Sequence, residues 1–387
     1  MKSLLRHAAE RLGIGPRQRR ILVDSRTPVN TEMVLPIVRA MSADTRVTFA
    51  FTASEEPRRV REIHAALPLG SHLVDPRWAA LHKWDVYLTS DFMWLPLPRG
   101  TARVQMFHGV AGKYGFDAPT ESLRCWDRLF FINERRLRNV VASGALTAGE
   151  GGARVIGMPK LDSLVDGSLQ ADRLIDALGL TPGLPTVLYA PTWSPESSLN
   201  RMGIDLVERL RTLPINLVIK LHDRSCDPRV QYSGGVDWRA RLAPLLVARR
   251  VLLYDLPNVV PCLAVADLMV TDHSSAGFEY LLRDRPIVRL DLPALIALAR
   301  VHPDYVSLLA GVSINVGTAA AAAGAVIDAL PSSNRGSPAR RRVAEELFYR
   351  PGTATMRAVQ ELYDLLELVP HPACLKRPAS QPCAQLA

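Results

Sequence analysis

The fold is decided by the stretch Leu268–Met269–Val270–Thr271–Asp272–His273–Ser274–Ser275. Its apolar first half predicts a short buried strand that ends in Thr-Asp, and its two serines open a helix predicted from Ala276 to Leu282. A strand that leads directly into a helix is typical of parallel α/β sheets. The turn between them aims hydroxyl groups and unpaired backbone N–H groups at one point, which suits a phosphate better than a neutral ligand.

Similar apolar runs, rich in β-branched or aromatic residues, recur between helical patterns along the chain. In the first half they predict strands near Ile21–Asp24, Arg46–Thr52, His72–Val74, Val86–Thr89, Val104–Phe107, Leu129–Ile132 and Val155–Gly157. In the second half they predict strands near Thr186–Ala190, Asn216–Leu221, Val251–Tyr254, Leu268–Thr271 and Ile287–Leu290. Strands separated by helices favour parallel sheets covered on both faces, so we expect two doubly wound α/β domains.

The length of 387 residues exceeds one ordinary domain and leads us to expect two. A small-residue, glycine-rich stretch at 145–152 marks the break between them. We expect a basic amphipathic segment at 1–20, a first Rossmann-like domain at 21–160 and a second at 161–369 that includes the closing helices. Residues 370–387, with four prolines and no periodicity, are predicted to be a disordered tail.

The charge balance favours an anionic partner. Lys and Arg number 47 against 38 Asp and Glu, which gives a net charge of +9. Nucleic acid is the weakest candidate, because aromatic residues make up only 6% and no basic stretch is interleaved with aromatics that would stack bases. An anionic membrane surface and a phosphorylated small molecule remain.

The cysteines and the hydropathy pattern bear on the compartment. The five cysteines are widely spaced, odd in number and form no Cys-x-x-Cys pair, so they predict neither a disulfide framework nor a zinc site and indicate a reducing cytosol. Arg6, Glu10 and Arg11 interrupt the apolar residues at the start, which argues against a secretory signal. No window is long and apolar enough to span a bilayer.

The N-terminal segment has two interpretations. Leucine and alanine residues share one face of a predicted helix, while Lys2, Arg6 and Arg11 supply a basic face. This pattern suits an anchor that lies in the interface of the inner membrane. A first helix that frays, or that packs on a domain, fits the same residues.

His108 follows the predicted strand Val104–Phe107 and precedes Gly109, with Lys113 close behind. A histidine titrates near neutrality, and a neighbouring glycine lets a substrate approach the backbone, so His108 is a candidate general base. It is equally interpretable as a loop histidine beside a tight turn. Thr192 offers a hydroxyl at the end of the second domain's first strand, where a purely structural turn is at least as good an interpretation.

Lys220 and His222 alternate at a strand end, so we expect them to share one face. Two cationic groups are costly to bury without an anion, and either a phosphate ligand or a carboxylate neighbour such as Asp223 would offset that cost. Asp272, Ser274 and Ser275 are the residue types that cap helices. A cap needs one of them, and three together favour an anion site.

Taken in order, these elements resemble the CDP-glycerol:poly(glycerophosphate) glycerophosphotransferase family of the teichoic-acid type. The resemblance covers roughly residues 100–366. It rests on His108-Gly109 with Lys113, Gly157-x-Pro159-Lys160-x-Asp162, Tyr189-Ala190-Pro191-Thr192-Trp193, Lys220-x-His222, Asp267-x-x-x-Thr271-Asp272-His273-Ser274-Ser275, Arg285-Pro286-Ile287 and Gly352-x-x-x-x-Arg357. His273, Asp223 and Val110-Ala111 depart from the family's usual tyrosine, proline and Thr-Pro, which leaves open whether glycerol, ribitol or another polyol phosphate is carried.

The resemblance implies a GT-B architecture, in which two Rossmann-like domains face each other across a cleft. It implies that His108 removes the proton of an acceptor hydroxyl, that His222, Ser274 and Ser275 hold the donor diphosphate with Lys220 and Thr192, and that Asp272 orients the loop. Gly109, Lys113 and Arg357 have supporting roles. CDP-glycerol would be the donor, a cell-surface glycan or lipid-linked molecule the acceptor, and no metal or other cofactor is expected.

Two alternatives remain open. A GT-B glycosyltransferase or epimerase that uses a UDP-sugar shares the fold and the anion-binding helix end. A non-catalytic protein that binds a nucleotide or lipid headgroup could also keep the fold. The presence of His108, His222 and the 272–275 loop argues against it, because a site that no longer catalyses a reaction would tolerate their loss.

Overall fold

The computed structural model describes residues 18–68, 70–110, 121–147, 149, 152–332 and 334–375. Two sheets organise this part of the chain, and every strand pair within each sheet is parallel. The first sheet contains β1 (Arg19–Asp24), β2 (Val47–Thr52), β3 (His72–Leu73), β4 (Val86–Thr89), β5 (Ala102–Met106), β6 (Arg128–Phe131) and β7 (Ala153–Val155). Its strand order is β3-β2-β1-β4-β5-β6-β7.

The second sheet repeats this order with six strands among the described residues. It contains β8 (Thr186–Tyr189), β9 (Asn216–Ile219), β10 (Val251–Leu253), β11 (Leu268–Thr271), β12 (Ile287–Leu290) and β13 (Ile314–Val316), in the order β10-β9-β8-β11-β12-β13. Both orders are the doubly wound arrangement in which the direction of winding reverses beside the first strand. The predicted α/β class with two Rossmann-like sheets is therefore confirmed.

Helices connect the strands and cover both faces of each sheet. In the first half they are α1 (Pro28–Met41), α2 (Val60–Ile63), α3 (Pro76–Leu81), α4 (Glu134–Ala142), α5 (Asp162–Val165) and α6 (Ala171–Ala177). In the second half they are α7 (Ser198–Leu210), α8 (Val230–Ser233), α9 (Trp238–Leu242), α10 (Val260–Val265), α11 (Ser275–Tyr280), α12 (Pro293–Leu298), α13 (Pro303–Ala310), α14 (Ala319–Ala329), α15 (Ser337–Leu347) and α16 (Ala354–Leu365).

The central strands are buried on both faces, which explains their continuous apolar runs. Every residue of β4, β8, β9, β11 and β12 is buried. One large core joins the inner faces of the two sheets with the C-terminal helices, and smaller cores fill the outer face of each sheet. β4, β11 and β12 have their predicted bounds, whereas most other strand ends differ by one or two residues. β13 was not predicted, because three residues at an exposed sheet edge are too short to show a period.

The last helices depart from the prediction. The sequence grouped residues 161–369 as one domain, but α16 packs on α1 of the first sheet, where Glu361 bonds Arg154 at 3.0 Å and Arg128 at 3.3 Å. This part of the assignment is wrong, because the apolar face of α16 is complementary to the first domain's helix rather than to the second sheet. The other domain boundaries remain a prediction.

The two ends of the chain also differ from the prediction. Strand β1 begins at Arg19, inside the segment predicted to be amphipathic, and the remainder of that segment lies outside the described residues. Residues Pro372–Leu375 form a short 3₁₀ turn whose Cys374 is buried against Tyr363, with Oη to Sγ at 3.3 Å. The prediction of a disordered tail from residue 370 is therefore wrong for this turn. The turn is ordered because the side chain of Cys374 packs into the core beside Tyr363. Residues 376–387 lie outside the described part.

Two of the sequence motifs form one structural joint. Gly157 has a φ of +89°, and a Cβ there would lie 2.7 Å from the carbonyl oxygen of Tyr349, so only glycine fits this close approach. The carboxylate of Asp162 accepts hydrogen bonds from the backbone N–H groups of Ala354 and Thr355, at 3.0 and 2.7 Å. The Gly157–Asp162 motif therefore anchors the start of α16.

Candidate functional site

The carboxyl edges of the two sheets face each other across a cleft with a cavity of about 230 Å³. In open parallel sheets, ligands bind beyond the carboxyl ends of the strands, at the point where the winding reverses. Here that point is β1 and β4 in the first sheet, and β8 and β11 in the second. Segments that follow these strands, together with those after β5 and β9, line the cleft.

His108 lies two residues beyond the end of β5 and lines the cleft. Its Nδ1 lies 2.5 Å from the backbone carbonyl oxygen of Ser90. A carbonyl oxygen only accepts, so Nδ1 carries the proton and, in the neutral ring, Nε2 keeps a lone pair that bonds no other described residue. Burial lowers the pKa of His108 below its ordinary value, with a smaller opposing contribution from Asp91. At neutral pH the imidazole is therefore held as a base.

Two arginines flank this histidine. Arg136, in the first turn of α4, stacks at 4.3 Å over the ring of Phe107 and donates from Nη1 to the carbonyl oxygen of Gly109 at 2.5 Å. Arg26, just after β1, pairs with Asp91 at 3.1 Å. Both guanidinium groups line the cleft, so the first sheet presents cations as well as a base.

Asp272 organises the second sheet's edge from behind the cleft wall. It is fully buried after β11, and its carboxylate accepts from the N–H of Thr192 at 2.8 Å and from the N–H and hydroxyl of Ser198 at 3.0 and 2.9 Å. These bonds join the loop after β8 to the loop after β11. Hydrogen bonds to a buried carboxylate are strong, so the Thr192 loop is held rigidly against the site.

Ser274 and Ser275 lie where α11 begins and line the cleft. Ser274 is the N-cap, and its Oγ accepts from the N–H of Ala276 at 3.3 Å. The predicted capping role of Ser274 is present, and the two serines bring hydroxyl groups to the same wall. The helix begins one residue earlier than predicted.

Lys220 and His222 follow β9, which ends at Ile219, so they lie in the loop beyond the strand rather than along it as predicted. Both line the cleft. Burial lowers the pKa of Lys220, whose Nζ donates to the carbonyl oxygen of Leu221 at 2.7 Å. His222 contacts the carboxylate of Asp223. The Nδ1 of His222 accepts from the N–H of Arg224 at 3.2 Å, and among the described residues no carboxylate pairs with Lys220.

Aromatic and cationic side chains form one wall of the cleft on the second-sheet side. The guanidinium of Arg224 lies 4.6 Å from the ring centroid of Trp193 and 5.1 Å from that of Tyr232. Trp193 and Tyr232 meet edge to face at 5.6 Å. Cation–π stacking fixes these side chains beside Lys220 and His222.

A buried ion pair ties the two sides of the cleft. Lys160, in the turn after β7, lies 2.8 Å from Oε1 of Glu279 on α11, and both side chains are at least nine-tenths buried. Both also line the cleft. Breaking such a pair would leave a buried charge uncompensated, so it holds the first-domain turn against α11.

The structure brings together most of the predicted site residues. His108, Gly109, Thr192, Lys220, His222, Ser274 and Ser275 line one cleft, and Asp272 lies directly behind it. Arg357 does not line it: its Nε donates to the carbonyl oxygen of Ile156 at 2.8 Å, and its guanidinium stacks on Tyr349 at 5.0 Å. Arg357 is part of the joint that holds α16. Lys113 lies outside the described residues.

Several cleft residues were missed by the sequence analysis, namely Arg26, Glu32, Asp91, Arg136, Arg224, Asn258 and Glu279. Arg26 and Asp91 each lie two residues beyond a strand end, at β1 and β4. Their position just beyond a strand end could have identified them as cleft residues from the sequence, because the carboxyl ends of parallel strands share one edge of the sheet. Glu32 and Glu279 lie inside helices, and only the packing shows that they reach the cleft.

Within the described ranges, no group of three or more His, Cys, Asp or Glu side chains is placed to hold a metal ion. In that same part of the chain, no helix combines the length and apolar character needed to cross a bilayer.

Comparisons with known proteins agree with this geometry. The wall teichoic acid polymerase TagF is similar in structure, with a TM-score of 0.69 and 16% identity over 95% of this chain and 98% of that one. S. aureus MnaA in complex with UDP has a TM-score of 0.56 and 14% identity over 94% and 100% of the two chains. The UDP-GlcNAc 2-epimerase of Neisseria meningitidis, bound to UDP-GlcNAc, has the same TM-score and identity over 89% and 100%. At these identities the likenesses show the two-domain fold shared by such transferases and epimerases.

No match is found among curated proteins. The sequence profile of one family, described as CDP-glycerol:poly(glycerophosphate) glycerophosphotransferase, matches residues 30–291. This range runs from within α1 to just beyond β12, so it includes β4, β5 and the second-sheet edge of the cleft, whereas β1 precedes it. The match covers more than half of the chain and shows that this protein is a transferase that belongs to the CDP-glycerol:poly(glycerophosphate) glycerophosphotransferase family.

Proposed function

We propose that the protein transfers a polyol phosphate, with glycerol phosphate as the first candidate, from a CDP-activated donor to a hydroxyl of a cell-surface glycan or lipid-linked acceptor. CMP is the second product. The observation that carries this proposal is the position of His108, whose Nδ1 is bonded and whose Nε2 has no partner among the described residues, in the same cleft as Lys220. Family membership and the TagF fold support the same activity in teichoic acid synthesis.

The donor diphosphate would lie against the second sheet. Lys220 has no carboxylate partner among the described residues, and Ser274 and Ser275 present hydroxyl groups beside it. A diphosphate would satisfy the lysine and accept from the hydroxyls, which is the arrangement that phosphoryl transfer needs. Thr192 and His222 would complete the donor side, with Asp272 holding the Thr192 loop.

The acceptor hydroxyl would lie against the first sheet, near Gly109. Its proton passes to Nε2 of His108 while its oxygen attacks the phosphorus that bears the polyol. The bond from that phosphorus to the bridging oxygen breaks, and the electron pair leaves with CMP. Charge that builds on the phosphoryl and leaving oxygens would be stabilised by Lys220 and the α11 hydroxyls.

We propose that the reaction needs no metal ion, because cationic side chains already surround the site. Arg26, Arg136 and Lys160 lie on one side of the cleft, and Lys220 and Arg224 lie on the other. Donor turnover that persists in excess EDTA, and that added Mg²⁺ raises less than about threefold, is the expected result. Loss of turnover in EDTA that Mg²⁺ restores would contradict it.

We also propose a cytoplasmic enzyme that works at the inner membrane surface, because a lipid-linked acceptor would be presented there. The basic N-terminal segment remains the proposed attachment, and Lys113 and Arg357 keep supporting roles only as predictions. Sedimentation with anionic vesicles, using protein with and without residues 1–18, tests the attachment. Equal sedimentation of the two proteins would remove the segment from this role.

The test of the function is a donor screen with purified protein. CDP-glycerol, CDP-ribitol and UDP-GlcNAc are supplied separately with a lipid-linked acceptor, and released nucleotide is measured. We expect CMP release from a CDP-polyol at least about 100-fold faster than any UDP-GlcNAc consumption, since a site built for one donor loses its hydrogen bonds with another. Consumption of UDP-GlcNAc alone would establish the epimerase or glycosyltransferase alternative.

His108→Ala is the control that links release to this cleft. We expect its rate of CMP release to fall by about 10²–10⁴, the usual contribution of a positioned base. His82→Ala, at an exposed histidine outside the cleft, should leave the rate unchanged. Equal rates for wild type and His108→Ala would remove His108 from the proposed role.

A further inference from the structure

Glu32, on α1, is a cleft residue that the mechanism above does not use. It is 8% exposed and lines the cleft. Among the described residues, no hydrogen bond donor and no cation is in bonding range of its carboxylate. Burial raises the pKa of Glu32, and Arg39, Lys160 and Lys220 oppose that rise from a distance. A carboxylate that lines the cleft with no partner among the described residues is available to a hydroxyl donor of a bound ligand.

The space around Glu32 indicates what kind of group that ligand presents. A small side cavity of about 30 Å³ lies next to the main cleft, and Glu32, Lys160 and Asn258 line both. Ser163 and Arg39 line the side cavity as well. The amide oxygen of Asn258 accepts from the N–H of Val260 at 2.9 Å, which leaves its NH₂ group for a ligand. The side cavity therefore presents both acceptors and donors in a volume that holds one or two water-sized groups.

Hydroxyl groups match this chemistry. A hydroxyl donates to a carboxylate and accepts from an amide or a serine at the same time, whereas a phosphate would be repelled by Glu32. Lys220, the proposed diphosphate ligand, is close enough to influence the pKa of Glu32. In the donor, the hydroxyls of the carried polyol lie only a few bonds from the diphosphate.

We propose that Glu32 is a specificity-determining residue that hydrogen-bonds a hydroxyl of the transferred polyol, whose terminal hydroxymethyl group enters the side cavity. This inference rests on the proposed transferase function and deepens it, since it names a short polyol as the carried group. A five-carbon chain would not fit a cavity of this size without displacing Leu169 or Pro261, which also line it.

The experiment pairs removal of the carboxylate with removal of the hydroxyl. Wild type and Glu32→Ala are each assayed with CDP-glycerol and with CDP-propanediol, which lacks one hydroxyl, and kcat/KM for CMP release is measured. In the wild type we expect CDP-glycerol to be preferred by about 10- to 100-fold, the usual value of a hydrogen bond to a charged group. In Glu32→Ala that preference should fall below about threefold, because only the CDP-glycerol rate declines.

Two further arms keep the result interpretable. Glu208→Ala, at an exposed carboxylate on α7, should retain the wild-type preference. Glu32→Gln keeps the size and the hydrogen-bonding oxygen, so it should restore part of the preference if Glu32→Ala is poorly folded. CDP-ribitol should be turned over at least about tenfold more slowly than CDP-glycerol, since each misfitting group loses contacts.

The outcomes separate the two proposals. If the wild type releases CMP and Glu32→Ala lowers both donor rates equally, the hydroxyl contact is overturned and the transferase function stands. If the wild type releases no CMP from any CDP-polyol, the function fails and this inference fails with it. Preference for CDP-ribitol over CDP-glycerol in the wild type would overturn the side-cavity argument alone.

Discussion

The carboxyl edge of the first sheet and that of the second share one strand order, yet they treat their charged groups differently. On the first edge three groups are paired, namely Arg26 with Asp91, Arg136 with the Gly109 carbonyl, and His108 with the Ser90 carbonyl, whereas Glu32 is not. On the second edge the fully buried carboxylate of Asp272 bonds backbone and serine groups, and no carboxylate of the described residues pairs with Lys220.

This difference indicates how two sheets of the same topology can take different parts in one transfer reaction. In the proposed mechanism, internal pairing on the first edge orients a base and keeps it neutral, whereas Lys220, which has no carboxylate partner among the described residues, would bind an anion on the second edge. Changes on the second edge should therefore affect donor use, and changes on the first edge should affect the chemical step.

The largest effect is expected from Lys220→Met, which removes the unpaired cation. We expect kcat/KM for CMP release to fall by about 10²–10³, as is usual when a preorganised electrostatic contact is lost. Because burial of the ammonium group is unfavourable, the melting temperature should not fall. Lys83→Met, at an exposed lysine, is the control. A fall in stability with unchanged kcat/KM would show that Lys220 is structural.

The next effect is expected from Asp272→Asn, which removes the charge that joins two loops. Three hydrogen bonds to the carboxylate weaken, so the free energy of unfolding should fall by about 2–3 kcal/mol in urea titration. Asp205→Asn, in an ion pair with Arg209 whose two side chains are both about half exposed, is the control and should cost less than about 1 kcal/mol. Similar costs for the two variants would contradict the role of Asp272.

A smaller effect is expected from Arg136→Lys on the first edge. Lysine keeps the charge but not the planar stack on Phe107 together with the bond to Gly109, so kcat should fall by about tenfold with the KM for donor unchanged. Arg138→Lys, exposed on the same helix, should match the wild type. A rise in KM alone would place Arg136 on the donor side instead.

The smallest effect is on the pH dependence. Asp91, Arg136 and Lys160 face His108, and burial still holds its pKa below the ordinary value of about 6.5. Only the neutral ring accepts a proton, so kcat/KM should stay level from pH 8 to below pH 6.5 and then fall. The unfolded chain, whose histidine has the ordinary pKa of about 6.5, binds this proton at a higher pH than the folded protein does. The free energy of unfolding should therefore decline as the pH falls from about 6.5 through the lowered pKa of His108. An acid limb centred above pH 6.5 would contradict the burial argument.

Much of the fold could be predicted because strands buried on both faces leave long apolar runs. β4, β11 and β12 were predicted to the residue, whereas β13, at an exposed edge, left no period in the sequence. The sequence analysis named more residues beside the cleft on the second edge, because Asp272, Ser274 and Ser275 lie close together in the chain. The first edge was predicted only at His108 and Gly109.

The sequence by itself determined the parallel α/β class, the family and the order of its motifs, because hydrophobic period and local turn chemistry act over a few neighbouring residues. Only the tertiary structure decided that α16 returns to the first sheet, that Arg357 lies in a joint rather than in the cleft, and that Glu32 and Glu279 reach it. Which side of a helix faces a cleft depends on packing between segments far apart in the chain, and no local pattern encodes that contact.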